Sequence, residues 1–313
     1  SLEKEWASYP VLHLDLNSQK YDDTQKLEAI LDWNISRWEE LYGSYEQETT
    51  LSLRFSGVIE RAYKKTGKQV VILVDEYDKP LLQAIGNNEL QADYRGLLKS
   101  VYGALKSQDR YIRFALLTGV TKFGKVSVFS DLNNLQDLSM DEEYQALCGV
   151  TQDELETIFA EPIKQLATKY KLSVEEALCR LKERYDGYHF VENGIGIYNP
   201  FSLLNTFKRL QFGSYWFETG TPTYLVELLK QDNYRLPNLT KEVSTADVLN
   251  CIDTASNNPI PVLYQSGYLT IKSFDEEFGE YRLGFPNKEV EEGFTRFLLP
   301  YYTGLRNPET PFS

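Results

Sequence analysis

Residues 70–78 read Val70-Val71-Ile72-Leu73-Val74-Asp75-Glu76-Tyr77-Asp78. Apolar, mostly β-branched residues run without a break into three carboxylates. The run is far too short to span a membrane, and it lacks the alternation of a strand with one wet face. It reads as a central strand of a parallel sheet, buried on both faces. Open α/β sheets bind their ligands just outside the carboxyl ends of the strands, which is where Asp75 and Glu76 fall.

An acid pair at such a strand end has two readings. In the first it is a Walker B element. Asp75 then holds the water shell of Mg²⁺, a hard ion that favours oxygen ligands and keeps several waters. Glu76 orients the water that attacks a γ-phosphate. In the second reading the strand simply ends in a solvated acidic turn. Asp78 fits that version as the N-cap of a helix entered through Lys79-Pro80.

The following strand, Tyr111 to Thr118, also ends in polar groups, before Gly119-Val120-Thr121-Lys122. In P-loop ATPases of the additional-strand type, the strand beside Walker B carries a polar sensor at its tip. Thr118 is placed for that role, and Thr121 and Lys122 are further groups that could face a phosphate. The alternative is a capped strand end with a glycine turn. Upstream, Pro10 to Asn17 reads as a strand with alternating polar positions, whose His13 is a packed or hydrogen-bonded residue rather than a ligand. Asp22-Asp23 open a helix that Gly43 ends, and Thr50 opens one that Gly67 ends. Downstream of Asp78, helices are expected from Pro80 and across Leu90–Leu105.

This strand–helix alternation stops near Val150, which sets expected domains at residues 1–149, 150–240 and 241–313. Thr151-Gln152-Asp153-Glu154 and Ser173-Val174-Glu175-Glu176 are capping boxes for helices reaching about Tyr170 and Tyr185. Tyr185-Asp186-Gly187-Tyr188-His189-Phe190 then interrupts the helices as an aromatic turn, suited either to stacking on an adenine or to packing. From Pro261 onward, helix, hairpin and an Asn287-capped helix follow in the order of a winged-helix unit.

Composition bounds the function. The chain has 313 residues, 42% of them hydrophobic, enough for two or three cores. Its net charge of −13, with an acidic wing at Asp275 to Phe278, opposes a large nucleic-acid footprint. Two histidines, His13 and His189, argue against a histidine-rich zinc site. Three scattered cysteines, with no leader peptide and no apolar span of ~20 residues, lead us to expect a cytoplasmic protein without a membrane anchor. Met140 is the only methionine, so we expect a segment of a longer chain.

VVILVDEYDKPLL (70–82), FALLTGVTKFG (114–124), YDGYHF (185–190) with IYNPFSLLN (197–205), YWFETGTPTYLVELL (215–229), and VLYQSGYLTI (262–271) with YRLGFPNKEV (281–290) occur in that order. Together they resemble the AAA-ATPase-like family over almost the whole chain. The family is common in gut Bacteroidetes and other anaerobes, and many members carry a C-terminal PD-(D/E)XK nuclease-like domain. The resemblance implies an α/β fold with the parallel sheet of a P-loop NTPase, an α-helical lid and a winged-helix-like unit. It implies ATP as ligand and Mg²⁺ as cofactor. The Mg²⁺-linked acid falls on Asp75, the catalytic acid on Glu76 and the nucleotide-sensing region on Thr118, Thr121 and Lys122. A fused or associated nuclease-like domain is an implied partner.

One departure matters. The RRFGKS-like phosphate loop of the family is missing, and no GxxxxGK[ST] stands anywhere in residues 1–313. Acids cannot replace a loop that cradles phosphates with backbone N–H groups and a lysine. The expectation is an ATP-hydrolysing regulatory core when complete, inactive as this segment. The alternative is a non-enzymatic interaction scaffold. Nucleic-acid binding through the wing ranks last. A missing central strand would also leave a gap of unpaired backbone in the sheet, and with it instability, unless the strand is supplied or the sheet re-pairs.

Overall fold

A computed structural model of the chain describes residues 7–121, 132, 134–218, 243–249 and 258–303. They fall into two compact units, one within residues 1–136 and the other within 137–249 and 257–313.

The first unit contains strands β1 (Val11–Asp15), β2 (Val70–Asp75) and β3 (Ile112–Leu117) and helices α1 (Thr24–Tyr42), α2 (Leu51–Thr66), α3 (Lys79–Gln83) and α4 (Asn88–Ser107). The strands form one parallel sheet in the order β1-β2-β3. Local chemistry sets the helix ends. The Asp23 carboxylate accepts the Gln25 N–H at 2.9 Å to start α1, and the Thr50 hydroxyl accepts Leu53 N–H to start α2. Gly67 ends α2 in the left-handed region at φ 65°, where a side chain would be strained.

Register fixes the two faces. Leu12 pairs with Ile72 and Leu14 with Val74, and all four are buried. On the other face Val11, Val71 and Phe114 align, as do His13, Leu73 and Leu116. That face is open among the described residues: Val11 is 49% exposed, Phe114 52% and Leu116 38%. Topology explains it. Right-handed crossovers between parallel strands added always in one direction place every helix on the same side. β2 is therefore central, as expected, but buried on one face instead of two. Nor does the expected gap lie within the described sheet, since β1, β2 and β3 pair continuously.

The second unit begins with α5 (Gln152–Ile158), α6 (Ala160–Tyr170) and α7 (Val174–Tyr185), followed by α8 (Pro200–Arg209) and α9 (Tyr215–Glu218). Then come β4 (Val243–Thr245), α10 (Ala246–Leu249), α11 (Ile260–Gln265), β5 (Thr270–Asp275), β6 (Glu280–Gly284) and α12 (Lys288–Thr303). Both expected capping boxes form, Thr151 with Glu154 and Ser173 with Glu176. The first helix does not run through to Tyr170. It breaks at Phe159, because Pro162 has no N–H to donate and so sits in the first turn of a new helix. Leu155, Ile163, Leu166, Leu181 and Leu203 fill the helical core. The β5–β6 hairpin turns at Gly279, at φ 66°, and β4 adds to β6 to give an antiparallel order β4-β6-β5. Among the described residues no helix is long and apolar enough to cross a membrane.

The two faces of the first sheet should respond differently to truncation. In the 313-residue chain, Ile72→Ala is expected to lower unfolding free energy by about 2–5 kcal/mol. Phe114→Ala, on the open face, should change it by less than about 1 kcal/mol. Chemical denaturation measures both. A large loss at Phe114 would mean that this face is covered in solution.

Candidate functional site

The carboxyl ends of β1, β2 and β3 bring three polar groups to one edge. Asp15 and Asp75 are register partners, and Thr118 follows directly on β3. The Thr118 backbone N–H donates to Val74 O at 2.8 Å, and its hydroxyl donates to Asp75 Oδ1 at 2.5 Å. Asp75 itself is exposed. One of its carboxylate oxygens is thus held by the neighbouring strand while the side chain reaches solvent.

After Asp75 the chain makes an unusual turn. Glu76 has φ 56°, in the left-handed region. A non-glycine residue there costs on the order of 1 kcal/mol or more, so surrounding bonds must hold it. Two of them are visible: Glu76 N–H donates to Asp75 Oδ1 at 3.1 Å, and Tyr77 N–H donates to Thr118 O at 3.0 Å. The turn sends Tyr77 inward, where its hydroxyl donates to Thr121 O at 2.9 Å. It leaves Glu76 half-buried. Burial, reinforced by the nearby Asp78 carboxylate, raises the Glu76 pKa above the usual glutamate range.

Asp78 departs from its expected role as a helix cap. Its backbone already lies in the helical region at φ −92° and ψ −12°, and its side chain makes no cap bond. The side chain is instead 0% exposed. Its Oδ1 accepts Val120 N–H at 3.2 Å, and its Oδ2 accepts both the Thr121 N–H at 2.5 Å and the Thr121 hydroxyl at 2.6 Å. Burial raises the Asp78 pKa, and these three donors oppose that shift. The approach is close enough that a Cβ on Gly119 would collide with the Asp78 carboxylate and crowd the Tyr77 ring.

Of the residues the sequence nominated, Asp75, Glu76 and Thr118 come together at the sheet edge. Thr121 lies close by, but it is 3% exposed and its hydroxyl is committed to Asp78. Lys122 lies outside the described residues. Asp15 was missed, although Pro10 to Asp15 carries the same signal as β2, an apolar strand ending in an acid. Lys79 donates to Asn17 across the same edge. Among the described residues no three Asp, Glu, His or Cys side chains are grouped to hold a metal ion. A metal at this edge would rest on Asp75 through water, with its remaining ligands coming from elsewhere. That suits Mg²⁺, which keeps most of its hydration, better than Zn²⁺ or Ca²⁺.

Residues 1–129 match the family model described as "Predicted AAA-ATPase". Over this stretch the match supports the AAA-ATPase-like family. The whole chain is also similar to the "Uncharacterized protein in vnfD 5'region" of Azotobacter chroococcum mcd 1, with 35% identity over 301 residues. That match takes in 95% of this chain and 56% of the relative, so the chain spans about half the length of the curated protein it matches. No solved structure matches it.

Beyond the matched AAA-ATPase-like residues, the aromatic motifs of the second unit serve its packing. Tyr185 is fully buried in the helical core, so its ring is not available to stack on a base. Its hydroxyl accepts from Thr206 at 2.8 Å and from Gly213 N–H at 3.0 Å. Gly187, at φ 106°, lies so close to Pro286 O that any Cβ there would collide with it. The Glu289 carboxylate is 0% exposed, and its Oε1 accepts the Ser202 hydroxyl at 2.9 Å and the Trp216 N–H at 2.9 Å.

Gly119→Ala follows from the site geometry. The added methyl should push the Asp78 carboxylate off Val120 and lower stability by about 1–3 kcal/mol, the range for leaving a buried polar group unpaired. Thermal or chemical unfolding reads this out. An unchanged midpoint would show that the two segments part without penalty.

Proposed function

We propose that the first unit is the Mg²⁺- and water-handling half of an ATP-hydrolysing core, with the second unit as its helical lid and winged-helix-like part. The observation that carries this reading is the edge formed by Asp75, Glu76 and Thr118. It has an exposed acid fixed by the adjacent strand tip, next to a half-buried acid held in a strained backbone conformation. Such strain concentrates at functional sites.

The geometry supports the following roles. Thr118 occupies Asp75 Oδ1 and so sets the carboxylate plane, leaving Oδ2 for a metal-bound water. Mg²⁺, when bound with ATP, would neutralise charge on the phosphate oxygens. Glu76 acts as general base, orienting the attacking water and accepting its proton. A glutamate shifted upward is a better proton acceptor near neutral pH than an ordinary one. Lys122 and Thr118 are the candidate phosphate sensors. Thr121 acts indirectly, through Asp78. The phosphate cradle has no counterpart in this sequence, so activity requires polypeptide or a partner that supplies it.

A second reading, a non-enzymatic scaffold on a remnant NTPase fold, is favoured by one observation, the absence of GxxxxGK[ST] from residues 1–313. Calorimetry of MgATP binding to the full natural chain separates the two readings, since the scaffold should give no binding heat.

In the full natural chain, Glu76→Gln is expected to keep nucleotide affinity and lower kcat by about 10²–10⁴-fold, the usual contribution of a general base. Turnover equal to wild type would remove Glu76 from the mechanism.

A further inference from the structure

We infer that Asp78 is a positioning residue, a buried carboxylate that locks the Gly119–Thr121 turn against the tip of β2 and thereby fixes the Thr118 hydroxyl on Asp75. The inference rests on the ATPase reading only for its effect on turnover. The clamp itself is a matter of geometry.

Two segments about 40 residues apart are joined at four points. Thr118 hydroxyl meets Asp75, and Tyr77 N–H meets Thr118 O. Tyr77 hydroxyl meets Thr121 O, and the Asp78 carboxylate takes Val120 N–H together with the N–H and hydroxyl of Thr121. Two of these joints use only backbone groups and a neutral hydroxyl, and the Thr118–Asp75 joint gives a carboxylate one donor from the turn. Asp78 gives a carboxylate three such donors, and charge-assisted bonds are roughly twice as strong as neutral ones. It is also the most enclosed, at 0% exposed against 8% for Tyr77. Two of its three partners are backbone N–H groups, one on each carboxylate oxygen, so the side chain must offer an acceptor at both positions. An amide cannot. The asparagine of Asp78→Asn could keep its oxygen on Thr121, but its NH₂ would then face the Val120 N–H, donor against donor.

The consequence reaches the reacting edge because Thr118 and Gly119 are adjacent. If the turn lifts, Thr118 O leaves Tyr77 N–H, Glu76 loses a constraint on its left-handed backbone, and the Thr118 hydroxyl no longer sets the Asp75 plane. A displacement of about 1 Å at such a site is worth up to roughly 100-fold in rate. The phosphate cradle that would carry most of the nucleotide affinity is no part of this chain of contacts, so the larger effect should fall on kcat and the smaller on KM.

The experiment compares wild type, Asp78→Asn, Thr121→Val and Thr121→Ser in the full natural chain, after cooperative unfolding has shown each variant to be folded. Asp78→Asn and Thr121→Val, which removes one donor at nearly constant volume, should lower kcat for MgATP by roughly 10- to 100-fold, with KM within about threefold. Thr121→Ser, which keeps the hydroxyl, should recover most of the loss. Amide hydrogen exchange at Val120 and Thr121, which needs no turnover, should speed up at least tenfold in Asp78→Asn. Unchanged exchange overturns the clamp. Faster exchange with kcat within twofold of an active wild type reduces Asp78 to a purely structural role and overturns the positioning claim. If wild type is inactive, or Glu76→Gln is as active as wild type, the ATPase reading has failed, and the exchange result alone decides the clamp.

Discussion

A carboxylate closed off from water between two strand tips sets the conditions for everything at this sheet edge. Burying the Asp78 charge is costly, and the cost is met by enclosing it with donors. Those donors include two backbone N–H groups, of Val120 and Thr121, that would be left without protein partners if Asp78 withdrew. Each side therefore needs the other, and the bonds tie the tips of β2 and β3 together. Gly119 is the steric condition for this closeness, since any side chain there would stand in the carboxylate. The left-handed Glu76 depends on the arrangement as well, because the Tyr77 and Asp78 contacts pin the chain immediately after it. D-E-Y-D and T-G-V-T are thus two halves of a single device.

The sheet under that device is covered on one side only. Winding β1, β2 and β3 in one direction places α1, α2 and α4 on the face of Leu12, Ile72 and Val74. The opposite face keeps the composition of a covered one: Val71, Leu73, Phe114 and Leu116 are as apolar as the residues inside. Parallel sheets in α/β proteins are covered on both faces. A ligand crevice in such sheets opens where the winding reverses, and no reversal occurs among the described strands. The edge of Asp15, Asp75 and Thr118 therefore lies at the carboxyl ends of the strands without a switch point beside it among the described residues. This agrees with the lack of GxxxxGK[ST] in the sequence.

Much of this was legible in the residues because it is local. Asp23, Thr50, Thr151 and Ser173 start helices where their side chains reach the backbone two or three residues on, and Gly43 and Gly67 stop them. The acids at the end of β2 and the threonine after β3 were readable from strand length and polarity. What escaped was non-local. Asp78 looked like a helix cap because Lys79-Pro80 follows it, and its true partners lie 42 and 43 residues away. Thr121 looked like a phosphate-facing group because nothing in its own segment showed that Asp78 would claim its hydroxyl. The uninterrupted apolar run of β2 identified a buried strand, but it could not show that one of its faces stays open.

The second unit gives a rule for sorting the acids of the first. Glu289 sits in a family-like motif, as Asp75 and Glu76 do, and burial likewise pushes its carboxyl upward. Yet Glu289 Oε1 takes a hydroxyl from α8 and a backbone N–H from α9, and the residue has no exposed surface. It belongs with Asp78. Both are buried acceptors that hold distant segments together. Asp75 and Glu76 differ in the property that matters, because Asp75 is exposed and Glu76 only half-buried, while Thr118 holds one oxygen of Asp75 and the backbone turn holds Glu76. An acid in a recognisable motif is thus no guide to chemistry until its donors are counted. Buried acids that accept from distant segments build the frame, and the acids that keep contact with solvent are the candidates for chemistry.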